Sequence, residues 1–84
     1  MIGQLWDKPI TVETNKFGER LTIANTEAAT HYLLRNWPTK AGGIAYKNAK
    51  RTLISAHGGR VEAEVARSAF LAALKEGGVQ IFEA

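Results

Sequence analysis

Residues 61–82 read VEAEVARSAFLAALKEGGVQIF: a long helical run, a two-glycine stop and a short extended tail. Apolar residues recurring every three or four positions place Val65, Ala66, Ala69, Phe70, Ala73 and Gly77 on one side of that helix, the side predicted to face inward. So many alanines predict a close helix approach, near the lower end of the usual spacing of about 8–10 Å. The helix is expected to begin near Val61, with Glu62 and Glu64 complementing the positive end of its dipole. Beyond Gly77-Gly78, Val79 and Ile81 alternate with Gln80 and Phe82, which predicts a last strand. Such a helix needs a surface to lie on, and the upstream chain has to supply it.

Residues 9–14 (PITVET) alternate, with Ile10 and Val12 on one face and Thr11 and Glu13 on the other, as in a half-buried strand. Residues 15–18 (NKFG) predict a turn in which Gly18 takes a positive φ. Residues 19–24 (ERLTIA) alternate again, with Leu21 and Ile23 inward and Arg20 and Thr22 outward. Leu5 and Trp6 precede this hairpin and are expected to fold over an edge of the core. Asn25 or Thr26 can cap a following helix, with Glu27 in its first turn. Its stripe is Ala28, Ala29, Tyr32, Leu33 and Asn36, widened by Leu34 and Trp37, and Pro38 is expected to end it. Residues 39–43 connect to a second helix, residues 44–57, stopped by Gly58-Gly59. Ala45, Tyr46, Ala49, Leu53 and Ala56 face inward there, Lys47 and Arg51 stand opposite, Lys50 and Ile54 flank them, and His57 lies near the edge.

The order is β-β-α-α-α-β in a single α+β domain spanning residues 1–84. Short connections make successive elements antiparallel, so the last strand runs opposite to the first and can pair beside it. The expectation is a three-stranded antiparallel sheet of order 2-1-3 with three helices on one face. The other face would show Thr11, Glu13, Arg20, Thr22 and Gln80 to solvent, with Phe82 as the exception.

Eighty-four residues make a thin core. A chain this short hides only about 60–65% of its unfolded surface. With no cysteine, disulfides, thiolate chemistry and sulfur-ligated zinc are excluded. No basic segment followed by an apolar run opens the chain, and no apolar stretch approaches a bilayer span, so neither a secretory signal nor a membrane partner is expected and the cytoplasm is the expected location. The net charge of +3 is unevenly spread. Residues 26–60 carry Arg35, Lys40, Lys47, Lys50, Arg51 and Arg60 against Glu27 alone, whereas residues 61–84 carry Arg67 and Lys75 against Glu62, Glu64, Glu76 and Glu83.

The spacing of Ala29, Leu33, Trp37-Pro38, Tyr46, Ala49, Leu53, Ala66-Arg67, Phe70, Ala73, Gly78 and Val79 resembles the domain-of-unknown-function family numbered 982, a family of small bacterial proteins. The likeness runs from about Pro9 onward, and Trp-Pro followed about thirty residues later by Ala-Arg-x-x-Phe is its most specific part. Relatives often carry a cysteine about where Thr52 stands, so any thiol role imagined for the family has no residue here. The resemblance implies a fold and no activity.

Three residue sets are candidate sites. Antiparallel helices would bring Glu27, His31, His57 and Arg67 to one end of the layer. Glu27 and His31, at i and i+4, share a face as metal ligands can, but two histidines without a further carboxylate make a poor site. The favoured reading is structural, with Arg67 pairing with Glu27 or bonding carbonyls at the end of the second helix. Arg35, Lys40, Lys47, Lys50 and Arg51, with Trp37 and Tyr46 nearby, suit phosphate contacts and base stacking, although both aromatics sit where core packing wants them. Leu34, Leu71 and Leu74 lie off the inward faces and would form a protein-contact patch if they adjoin. Glycine pairs here lack phosphate-loop spacing, and Ser55 and Ser68 lack a triad pattern. The expected function is therefore a non-enzymatic module for protein interaction or self-association, without cofactor, metal or small-molecule substrate. A polyanion or nucleic-acid binder is the alternative.

Overall fold

The computed structural model describes residues 5–14, 16, 18–37 and 43–84. Its elements follow the expected order: β1 (Leu5–Glu13), β2 (Arg20–Asn25), α1 (Thr26–Arg35), α2 (Ile44–His57), α3 (Ala63–Glu76) and β3 (Ile81–Glu83). The sheet is antiparallel with order β2-β1-β3. Register pairs Ile10 with Ile23 and Val12 with Leu21 across the hairpin, and Val12 with Ile81 on the other side. Ile10, Val12 and Ile23 are buried under the helices, while the Thr11 and Thr22 hydroxyls meet at 2.9 Å on the open face. The period of two thus divides the sheet into a covered and a wet side.

The hairpin closes with Glu19 N–H donating to Lys16 O at 3.1 Å, and Gly18 holds φ at 79°. Asn15 and Phe17 of that turn lie outside the described residues, as do Pro38, expected to stop α1, and most of the α1–α2 connector. Leu21 shares the inward side but keeps 37% exposure, because it sits at the turn end beyond the helices' cover. Phe82 is 39% exposed, and the Arg20 guanidinium lies 3.9 Å from its ring centroid, reaching across β1 from the opposite edge strand. That contact covers an apolar ring on the polar face and contributes about 0.5–1 kcal/mol.

β1 starts earlier than the alternation predicts. Its pairing with β2 runs from Glu13 to Ile10, slips, and resumes only at Leu5. Pro9 has no N–H to give the ladder, so the pleat is broken where alternation would have announced the strand. Through this segment Trp6 still reaches the core, 6% exposed, with its indole Nε1–H donating to Thr26 Oγ1 at 3.2 Å. It begins a chain of aromatic contacts: Trp6–Phe70 at 5.8 Å, Phe70–Tyr32 at 5.9 Å, Tyr32–Trp37 at 5.7 Å and Trp37–Tyr46 at 5.2 Å between centroids. Tilted and edge-on pairs of this kind are worth about 0.5–1.5 kcal/mol beyond their buried area.

Specific hydrogen bonds satisfy the helix ends. Asn25 caps α1, its Oδ1 accepting from Ala28 N–H at 2.7 Å. α1 stops at Arg35, ahead of the Pro38 expected to end it, with Asn36 N–H closing on Tyr32 O. α2 has no capping side chain of its own. The Glu76 carboxylate at the end of α3 instead accepts from Ala45 N–H at 3.1 Å and Tyr46 N–H at 3.0 Å. Gly43, at φ 84°, stands so close that a Cβ there would collide with that carboxylate. α3 begins at Ala63, two residues later than expected, with Glu62 O accepting from Ala66 N–H.

The inward side of α3 is Ala66, Arg67, Phe70, Ala73 and Leu74. It is rotated by about 60°, at 100° per residue, from the side expected with Val65 as a member; Val65 is 51% exposed. Leu74 therefore lies at 0% exposure in the core, and Leu71 packs half-buried against it. Ala49, Leu53 and Ala56 of α2 and Ala29, Tyr32 and Leu33 of α1 complete the helical half. Among the described residues no buried side-chain N or O lacks a hydrogen-bond partner.

Candidate functional site

α1 spends one side on the core and leaves the opposite side open. Thr26, Ala29, Tyr32 and Leu33 are buried, whereas Glu27, His31, Leu34 and Arg35 are exposed. At 3.6 residues per turn, Glu27, His31 and Arg35 follow one another at i, i+4 and i+8 on that open side, with Leu34 beside the last two. α2 presents a complementary flank. Ile54 and His57 lie outside its buried stripe, and the two helices enclose a groove of about 320 Å³ lined by Glu27, Thr30, His31, Leu34, Arg35, Ile54 and His57. Leu34 is 51% and Ile54 56% exposed, so an apolar centre is framed by charged and imidazole groups.

Three of the four members of the predicted polar cluster meet here: Glu27, His31 and His57. Arg67 does not. It is buried on the sheet side of α3, with Nε donating to Lys8 O at 2.7 Å and Nη1 standing 4.0 Å from Glu64. The expected pairing with Glu27, or with carbonyls ending α2, is thus corrected. The slipped stretch of β1 leaves a carbonyl without a ladder partner, and a guanidinium from the inward side of α3 satisfies it. Among the described residues no three His, Cys, Asp or Glu side chains converge to hold a metal ion.

The leucine patch is corrected as well. Leu74 is in the core and Leu71 is half-buried against it, and neither lines the groove that holds Leu34. The large apolar residue that lines the groove with Leu34 is Ile54, placed by its sequence position only as flanking the outer side of α2. Nothing local marks it, because the pair forms only once α1 and α2 dock.

The basic residues divide between two places. Arg35 lines the α1–α2 groove, while Lys47 and Arg51 border a separate depression with Ile44, Ala45, Asn48 and Glu76. Lys50 is exposed on α2, and Lys40 lies outside the described residues. Trp37 and Tyr46 face each other edge-on against the core, and the Tyr46 hydroxyl donates to Leu33 O at 3.0 Å. Their rings are occupied by packing.

The Tyr32 hydroxyl donates to Glu13 O at 2.6 Å. Burial, with the Glu13 charge adding to it, pushes this phenol far above its ordinary value and keeps it a neutral donor. Its geometry ties α1 to β1. Among the described residues no helix is long and apolar enough to cross a membrane.

A short three-stranded antiparallel sheet under three helices, with an open, largely apolar groove between α1 and α2, defines a small two-layer α+β protein. The chain belongs to the family described as Protein of unknown function (DUF982), whose model matches residues 8–81. Comparison with curated proteins and with solved structures returns no match. Ala29, Leu33, Ala49, Leu53, Ala66, Phe70, Ala73 and Val79, part of the spacing that resembles the family, are all buried, so much of that spacing is a packing pattern.

Proposed function

We propose that this protein is a non-enzymatic contact module, acting in the cytoplasm, whose working surface is the α1–α2 groove where another protein chain or its own copy docks. The observation that carries this reading is that Leu34 and Ile54, each more than half exposed, both line the groove. Large apolar side chains gathered within a polar frame suit a partner's apolar ridge. The expected result of placing a photo-crosslinking residue at position 34 is covalent capture of a protein chain. Leu34→Asp and Ile54→Asp should each abolish association in sedimentation velocity without changing the helical circular dichroism. A crosslinker at position 34 that labels no chain, its own included, refutes the reading.

The second reading is polyanion contact through Lys47, Lys50 and Arg51, supported by their common exposure on α2. It is weakened by the Glu76 carboxylate beside Lys47 and Arg51 and by the packing of Trp37 and Tyr46. Salt-sensitive binding of labelled DNA or RNA, lost in Lys47→Glu/Arg51→Glu, would carry it. No binding at low salt removes it.

A further inference from the structure

We infer that the occupant of the α1–α2 groove is a second copy of this chain, docked with its α1 antiparallel to the first about a two-fold axis beside His31. The inference rests on the contact-module reading and adds the partner's identity. It comes from the order of charges along the open side of α1. Glu27 stands four residues before His31 and Arg35 four residues after it, all exposed on one face. A two-fold axis at His31 lays each residue opposite its mirror position, so Glu27 of each copy meets Arg35 of the other, twice. Parallel docking would set Glu27 against Glu27 and Arg35 against Arg35, which is repulsive at both ends. The apolar residues obey the same symmetry. Leu34 and Ile54 both line the groove and are more than half exposed, so each copy brings the same apolar surface to the other, as an isologous interface requires.

The size of the face sets the strength. Glu27 and Arg35 are separated by about 12 Å along the axis, and α1 and α2 side by side are about 20 Å across. Such a face is smaller than the roughly 800 Å² per partner of a standard stable interface. The dimer is therefore weak and concentration-dependent, and its register depends on the reciprocal charge pairs.

Sedimentation velocity of the full chain over a range from about micromolar to about millimolar tests this, scaled against the usual range of weak complexes. The expected result is a monomer–dimer equilibrium. Glu27→Arg and Arg35→Glu should each weaken it by about tenfold or more, since a single reversal turns both pairs repulsive. The double variant Glu27→Arg/Arg35→Glu should restore it to within about threefold. Both reversals oppose the α1 dipole, so thermal melts should show the double variant as the least stable, and its recovered association cannot come from a better fold. Failure of the double variant to recover overturns the inference. A strictly monomeric chain whose position 34 still crosslinks to a different protein overturns the second copy while the contact module stands. A monomer that crosslinks to nothing overturns both.

Discussion

Replacing Glu76 with Ala tests how α2 is started. The helix has no capping side chain at Gly43, and Glu76 supplies both oxygens to Ala45 and Tyr46 N–H at 3.1 and 3.0 Å. Loss of a helix cap costs about 0.5–2 kcal/mol, and these two bonds involve a charged acceptor, which favours the upper half of that range. Against this, Glu76 ends α3 at its negative dipole end, so its removal relieves about 0.3–1 kcal/mol. The net loss is about 1 kcal/mol, which for a chain of this size lowers Tm by about 4–8 °C. Glu76→Gln should fall between the parent and Glu76→Ala, because it keeps one acceptor oxygen and sheds the dipole penalty. Thermal melts followed by circular dichroism give the magnitude. Amide hydrogen exchange gives the place, with Ala45 and Tyr46 speeding up more than amides elsewhere in α2. A Glu76→Ala protein that melts within about 1 °C of the parent, with both amides as protected as before, refutes the account.

Other expectations follow from burial and from single hydrogen bonds. Leu74→Ala should cost about 2–5 kcal/mol in urea unfolding, as a core truncation does, while Leu34→Ala changes stability by less than about 0.5 kcal/mol; equal effects would return Leu74 to the surface. Arg67→Met keeps the aliphatic stem and strips the donor from Lys8 O, so unfolding should become easier by about 1–3 kcal/mol. Tyr32→Phe loses the 2.6 Å bond to Glu13 O and should cost about 1 kcal/mol at neutral pH. Because folding raises this phenol above its ordinary value of 10.0, the unfolded chain releases the proton first. Its contribution is intact below about pH 10 and shrinks as pH rises further. Tyr32→Phe should therefore lose stability less steeply than the parent on alkaline titration, and parallel curves would contradict the burial of Tyr32.

Much of the architecture was legible because its signals are local. Ile10 and Val12, then Leu21 and Ile23, set the period of two on either side of a glycine turn, and the glycine pairs at 58–59 and 77–78 punctuate the helices. Those elements and their antiparallel connections lead directly to the β2-β1-β3 order. What was not legible depends on distant partners. Trp6 enters the core through a stretch whose alternation Pro9 interrupts. From sequence, Arg67 is expected to pair with Glu27 or with carbonyls ending α2, because nothing local announces the carbonyl that a slipped strand 59 residues away offers it. Val65 is a weak guide to the inward side of α3, since one valine among alanines shifts the apparent centre enough to misplace Leu74. Of the site, Glu27, His31 and His57 were foreseen at one helical end, whereas the Leu34–Ile54 pair depends on the docking of two helices that neither helix announces alone.

Both tryptophans belong to the aromatic chain that crosses the interior, Trp6 against Phe70 at the sheet end and Trp37 against Tyr32 and Tyr46 at the other. The molecule thus carries a built-in optical gauge at each end of its core. Substituting one indole at a time would let intrinsic emission report whether the hairpin side and the α1–α2 side melt together, without attaching any dye.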